Sequence, residues 1–205
     1  MGIMTDFYQQ FLTDKSFSLL TGLKKRFKFI LIGGWAVYFY TQALKSKDID
    51  IIVDFSQLND LKSKFVMEKN DRLKKYQIKL EGVDVDVYLP HYSELGFPVE
   101  AIGQKTTVVN GFTLPEKEVL LFTKLAAYRG RQGSVKGQKD LIDVIGLVAL
   151  EDFDIRYFTK LSQEYQLDKL RGLLKIMISQ TKEVDELNLN CHAFTKVKKN
   201  LLAKI

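Results

Sequence analysis

Two short stretches place aspartate where a β-strand least favours it. Lys47-Asp48-Ile49-Asp50-Ile51-Ile52-Val53-Asp54 alternates acid with β-branched residues, and Val83-Asp84-Val85-Asp86-Val87-Tyr88-Leu89 repeats the pattern. The two-residue period of a strand puts Asp48, Asp50 and Asp54 on one face and Ile49, Ile51 and Val53 on the other. In the second stretch Val83, Val85, Val87 and Leu89 oppose Asp84 and Asp86. Each segment therefore belongs to a sheet with one covered face. Aspartate packs poorly in strands and competes for backbone hydrogen bonds. Carboxylates crowded on one face repel unless protons, cations or basic side chains neutralise them. Hard divalent cations take oxygen ligands, and two of them about 3.5 to 4 Å apart can be bridged by carboxylates from neighbouring strands. The competing reading is a solvated acidic face on an antiparallel sheet.

The remaining pattern surrounds these strands with alternating elements. Phe27 to Ile32 is a short apolar run stopped by Gly33-Gly34, which predicts a buried strand and a tight turn. The helix that follows, from Trp35 to Lys45, carries Val37, Tyr40, Thr41 and Leu44 on one stripe. Asp48 to Val53 predicts the second strand, and Ser56 predicts a cap for a helix running to about Met67 with Leu58, Leu61 and Phe65 inward. Tyr76 to Leu80 and Val83 to Leu89 flank Glu81-Gly82 as a hairpin, which Pro90 ends. A second hairpin joins Thr106 to Val109 and Phe112 to Leu114 through Asn110-Gly111. Beyond Pro115 helical periodicity takes over, at Glu116 to Tyr128, Lys139 to Leu150, Ile155 to Tyr165, Leu167 to Met177 and a charged last helix to about Leu202. The expected class is α+β, a mixed sheet flanked by helices and followed by a C-terminal helical bundle. The boundary falls near Pro115, giving a front domain of residues 1–115 and a helical domain of residues 116–205.

Composition narrows the function classes. Of 205 residues, 46% are hydrophobic and 27% charged, which supports a packed core and excludes a disordered chain. The longest uncharged stretch, Phe29 to Ala43, is broken by glycines and falls short of the roughly 20 residues of a membrane span. Nothing near the start reads as a secretory signal, so a cytoplasmic location without membrane association is expected. A single cysteine, Cys191, excludes an internal disulfide and thiolate zinc modules. His91 and His192 lack metal-ligand spacing, and the neighbouring Cys191 and His192 lack an oxyanion element for a thiol nucleophile. A net charge of +6 favours an anionic partner.

Glycines before a helix expose amides to phosphate oxygens, so Gly33-Gly34, a helix and an Asp-x-Asp strand set an anion cradle beside a dication site. The run Leu31-Ile32-Gly33-Gly34, a helix, then Ser46-Lys47-Asp48-Ile49-Asp50-Ile51 resembles the signature of the DNA polymerase β-like nucleotidyltransferase superfamily. That resemblance implies the α/β nucleotidyltransferase-type fold, with the front domain catalytic. It makes Gly33 and Gly34 the phosphate-contacting turn, and Asp48 and Asp50 paired metal ligands. The third carboxylate, catalytic and metal-binding, is Asp86 in Gly82-Val83-Asp84-Val85-Asp86-Val87, with Asp84 as the alternative. A second stretch, Leu120 to Arg129, a basic loop, then Lys139-Asp140-Leu141-Ile142-Asp143-Val144, resembles the AbiEii-type nucleotidyltransferases, which include toxins of toxin-antitoxin pairs. It implies that Lys124 contacts nucleotide and that Lys139, Asp140 and Asp143 lie beside the site. From the residues alone, Lys124 and Tyr128 share a helical face. Arg129, Arg131, Lys136 and Lys139 surround a loop containing Gly130, Gly133 and Gly137. Asp140 and Asp143 suit a supporting role, holding Lys124 or Arg129. Trp35 after the glycine pair is bulkier than usual for the superfamily; it suits base stacking, a narrowed entrance or ordinary core. Lys196, Lys198, Lys199 and Lys204 read as a lysine-rich last helix favoured by its macrodipole.

The expected activity is transfer of a nucleoside monophosphate from a nucleoside triphosphate, ATP among the candidates, to an acceptor hydroxyl with release of pyrophosphate. Two Mg2+ ions, or Mn2+, are the expected cofactors. Asp86 would accept the acceptor's proton, while Lys124 with Arg129 or Arg131 would steady the leaving group. A basic chain favours RNA, particularly a tRNA end, as acceptor, and the resemblance to the AbiEii-type group implies an antitoxin protein as partner. The alternatives are a catalytically silent nucleotide- or RNA-binding module and an aminoglycoside-type small-molecule transferase.

Overall fold

The computed structural model describes residues 2–187, 189 and 191–204. A helix, α1 (Gly2–Lys24), precedes the front half, where the sequence reading assigned nothing. It is followed by β1 (Ile30–Ile32), α2 (Gly33–Thr41), β2 (Ile49–Ile52), α3 (Phe55–Lys64), β3 (Met67–Asn70), β4 (Lys75–Leu80) and β5 (Val83–Tyr88). Five strands form one mixed sheet in the order β1-β2-β5-β4-β3. Only the central β2–β5 pairing is parallel, and its register sets Asp50 beside Asp86. Burial alternates along β5, with all three valines inside, so the sheet's acidic face is the one turned away from the core.

Both hairpins form where the turn chemistry placed them. Glu81 and Gly82 have φ of 51° and 85°, and Asn110 and Gly111 have φ of 49° and 74°. Positive φ at both central positions matches strand twist across a two-residue loop. The second hairpin is β6 (Thr106–Val109) and β7 (Phe112–Pro115), reached through the short helix α4 (Val99–Ile102).

Four local expectations are corrected. Asp54 is neither in β2 nor on its acidic face: its side chain accepts from the Gln57 amide at 2.8 Å and caps α3. Ser56 already lies in the first turn, and its hydroxyl donates to Asp54 Oδ1 at 2.7 Å instead of capping. The helix stops at Lys64, because Phe65 is extended and β3 then pairs with β4. That strand reads Met-Glu-Lys-Asn, an edge segment with little apolar alternation. Finally, α2 closes at Thr41, where Gln42 turns left-handed at φ 55° and its amide donates to Tyr38 O.

The back half comprises α5 (Lys117–Arg131), α6 (Val135–Val148), α7 (Ile155–Glu164), α8 (Asp168–Gln180), a 3-10 turn at Asp185–Leu187 and α9 (Cys191–Leu202). α6 begins four residues before the expected Lys139. Ser134 caps it by accepting from the Gly137 amide, so Lys136 and Lys139 are helical. Val119, Leu120, Leu121, Phe122 and Leu125 on α5 are all fully buried, the mark of a helix enclosed on every side. Phe122 stacks on Phe158 of α7 at 4.4 Å and tilts against Phe97 at 5.7 Å. One continuous apolar cluster runs from the sheet through α5 to α8. Among the described residues, no helix is long and apolar enough to cross a membrane.

The α3 cap yields a stability expectation. Removing the Asp54 acceptor in Asp54→Ala should cost about 1 kcal/mol, read from the urea midpoint. The Gln57 amide holds the Asp54 carboxyl below its ordinary pKa. Its contribution is therefore complete above the unfolded value of about 4 and is lost as pH falls through the folded one. The gap between wild type and variant should close in acid.

Candidate active site

Parallel register does the first part of the assembly. Asp50 and Asp86 are direct partners on β2 and β5, so their side chains leave the same face of the sheet side by side. Asp48 stands just ahead of β2, and its charge reaches both. The Tyr88 hydroxyl donates to Asp50 Oδ1 at 3.3 Å. Burial, then the charge of Asp86, pushes the Asp50 carboxyl up to about 6 against the pull of Lys124. Burial also raises Asp86, although the Lys75 ammonium, bonded to its Oδ2, works in the other direction. Asp86 Oδ1 is buried without a hydrogen-bond partner. Asp84, the alternative third acid, lies opposite Lys79 rather than opposite Asp50.

Next to the acids, α2 begins at Gly33 itself. No side chain caps its first turn, which leaves its amides for an outside acceptor. Gly33 has φ +70°, and a Cβ there would collide with the Asp50 carboxylate. A Cβ on Gly34 would come within 2.8 Å of Ser46 Oγ and 3.7 Å of Lys139 Nζ. The two glycines are thus required by close approach of the acid strand on one side and of Ser46 and Lys139 on the other. Lys139 Nζ donates to Lys45 O at 3.3 Å. Burial, with Lys124 nearby, holds its pKa below the ordinary lysine value although Asp143, Asp48 and Asp50 oppose the shift.

Behind this turn lies a ladder of opposite charges. Lys124 is 8% exposed because α5 is enclosed. A buried ammonium must be paired, and Lys124 Nζ lies 2.7 Å from Asp143 and 3.8 Å from Asp140. Burial disfavours its charge, yet Asp143 and Asp140 outweigh burial and raise its pKa. Arg131 takes the other Asp140 oxygen at 3.3 Å. Asp140 and Asp143 thus hold Lys124 and Arg131, while Arg129 and Lys136 are exposed at the α5–α6 connection. That connection is only residues 132–134, and Gly137 permits close passage of the Arg131 carbonyl.

The other candidates lie apart from these acids. Trp35 is core, 1% exposed, with its indole N–H donating to Ser16 Oγ on α1 at 2.9 Å. His91 is 72% exposed near Glu100, and Lys198 bonds the Ser179 carbonyl in the C-terminal helices. The Cys191 side chain lies outside the described residues. Lys75, Tyr88 and Ser46 joined the site without being singled out from sequence. Lys75 was within reach of the hairpin reading: a turn at Glu81-Gly82 pairs Gln77 with Asp86 and brings Lys75 diagonally across from it.

Among the described residues, no group of three or more acid, histidine or cysteine side chains is gathered closely enough to hold a metal ion as the side chains stand. Asp48, Asp50 and Asp86 nevertheless fit a hard cation in three respects. They offer oxygen donors only, one buried oxygen of Asp86 is unpartnered, and Asp50 is pushed away from its charged form by burial and Asp86.

No family model and no curated protein matches the chain. Among solved structures it is similar to an antigenic nucleotidyltransferase-like protein from Paracoccidioides brasiliensis, with 19% identity and TM-score 0.40, covering 80% of this chain and 92% of that one. It is similar also to ANT(2″)-Ia in complex with adenylyl-2″-tobramycin, with 13% identity and TM-score 0.48, covering 80% and 96%. A third is JHP933 from Helicobacter pylori, with 15% identity and TM-score 0.44, covering 95% and 92%.

The geometry carries two expectations. Gly33→Ala should lose at least about 1 kcal/mol of stability, from its positive φ and the collision with Asp50, read from the urea midpoint. Lys124→Met strands buried carboxylates and should cost about 3 to 5 kcal/mol, whereas adding Asp143→Asn should recover part of that loss in a double-mutant cycle of denaturant midpoints.

Proposed function

We propose that this chain is a magnesium-dependent nucleotidyltransferase that moves a nucleoside monophosphate from a nucleoside triphosphate to a hydroxyl of RNA, with a tRNA end as the preferred acceptor. The observation that carries the reading is Asp50 set directly beside Asp86 on parallel strands, against a glycine turn that opens a helix. Asp48, Asp50 and Asp86 are the residues to hold the cation. Bound magnesium supplies charge neutralisation at the reacting phosphate and the departing pyrophosphate.

The chain's own groups supply the rest. Amides of Gly33 and Gly34 and the ammonium of Lys139 grip the triphosphate, and tight gripping aligns the α-phosphorus for in-line attack. Lys124, committed to Asp143 and Asp140, acts from behind by setting the positive potential of the turn. Arg131 and Arg129 meet charge building on the leaving group. The Asp86 carboxylate receives the proton of the attacking hydroxyl on the oxygen that does not hold the cation. The net charge of +6 and the exposed Arg129 and Lys136 favour a polyanionic acceptor, whose binding gains from released counterions. An aminoglycoside would prefer an acidic pocket. A toxin role restrained by an antitoxin partner belongs to the same reading, on the premise that a nucleotide added to a finished tRNA end blocks its aminoacylation.

Incubation with each labelled nucleoside triphosphate, magnesium and total RNA should move label to RNA. Label on an added aminoglycoside instead would select the small-molecule reading, and nucleotide binding with no transfer would select a silent binding module. Asp50→Asn should lower transfer at least about a hundredfold. Its thermal midpoint should not fall, because the variant relieves repulsion from Asp86.

A further inference from the structure

Lys75 is the first residue of β4, and strand alternation places it with Gln77 and Lys79 on the face that carries Asp84, Asp86 and Tyr88. It sits diagonally across from Asp86, whose direct partner is Gln77. The Lys75 ammonium bonds Asp86 Oδ2, and the two side chains are only 12% and 13% exposed. That burial separates the pair from the chain's surface ion pairs, such as Lys69 with Asp71 at 47% and 73%. Solvent-exposed pairs contribute little, whereas an enclosed charge that loses its partner is strongly penalised. The environment of Asp86 is otherwise acidic, since Asp48, Asp50 and Asp84 all act on it or are acted on by it. No other ion pair engages Lys75 among the described residues.

This arrangement sets two kinds of positive charge against one carboxylate. A divalent cation shared by Asp48, Asp50 and Asp86 would need the negative charge that Lys75 neutralises. We propose that Lys75 is a built-in competitor for the divalent cation: it neutralises Asp86 while the site holds no cation, and thereby sets the cation concentration at which the site fills. The inference rests on the proposed carboxylate site. Under it Lys75 is a positioning residue that acts through Asp86, with one carboxylate oxygen tied to the lysine and the other left for a ligand. The exchange is one of charge partners only, with no bond made or broken.

The test is Mn2+ binding to the full chain without nucleotide, followed by the electron paramagnetic resonance signal of free Mn2+. Lys75→Met and Lys75→Gln should each bind Mn2+ at least about tenfold more tightly than wild type, because a unit positive charge has left the site. Lys75→Arg, which keeps that charge, should stay near the wild-type affinity. A structural role alone would leave the affinity of the uncharged variants unchanged or weakened. In wild type, the Lys75 Cε resonance should shift during a Mg2+ titration, a readout that needs no variant. The proposal is overturned if both uncharged variants bind Mn2+ no more tightly than wild type while Asp86→Asn weakens binding. If Asp86→Asn binds Mn2+ as well as wild type does, the carboxylate site itself is refuted, and the Lys75 proposal falls with it.

Discussion

The repulsion between Asp50 and Asp86 is the constraint around which the molecule is arranged. Two carboxylates placed opposite each other on adjacent strands, partly out of water, are unfavourable by themselves. Every neighbouring feature answers that charge. Lys75 bonds one acid, the Tyr88 hydroxyl bonds the other, and Lys124 contributes from the enclosed helix behind. A fold that sought stability alone would replace these acids with threonine or valine. Keeping them accords with the proposed site, in which a bound cation would complete the charge.

The glycine turn and the back helices extend the same balance outward. Gly33 lets the helix start in contact with the Asp50 carboxylate, so uncapped amides and acids share one small region. From there charges alternate in space, from Lys139 through Asp143 and Lys124 to Asp140 and Arg131. The ladder lies on α5 and α6, so the helical half would belong to the proposed site. Its rigidity comes from the packing of α5, since a lysine on an enclosed helix has little freedom to leave its partners.

What could be read from sequence follows from which signals are local. The Asp-x-Asp alternation, both hairpin turns and the helical periodicity beyond Pro115 each rest on residues near one another in the chain, and the structure follows them. Missed features needed information from elsewhere. β3 is a polar edge strand whose identity comes only from pairing with β4. The cap of α3 went to Ser56 because the strand pattern had already claimed Asp54. At the site, the side-by-side placement of Asp50 and Asp86 depends on a parallel pairing between strands separated by a helix and a hairpin, which periodicity cannot supply. Trp35 shows the limit in the other direction: its place beside the glycines left three readings open, and only Ser16 on α1, with no local signal, decides among them.

One consequence of the hairpin between β4 and β5 concerns the order in which the chain assembles. Lys75 and Asp86 are joined through a two-residue turn, and hairpins of that kind close within about 1 to 10 microseconds. Asp50 can reach Asp86 only after β2 docks in parallel register, a contact of long sequence separation that forms later. In that order Asp50 would meet an acid already opposed by the Lys75 charge on its own hairpin.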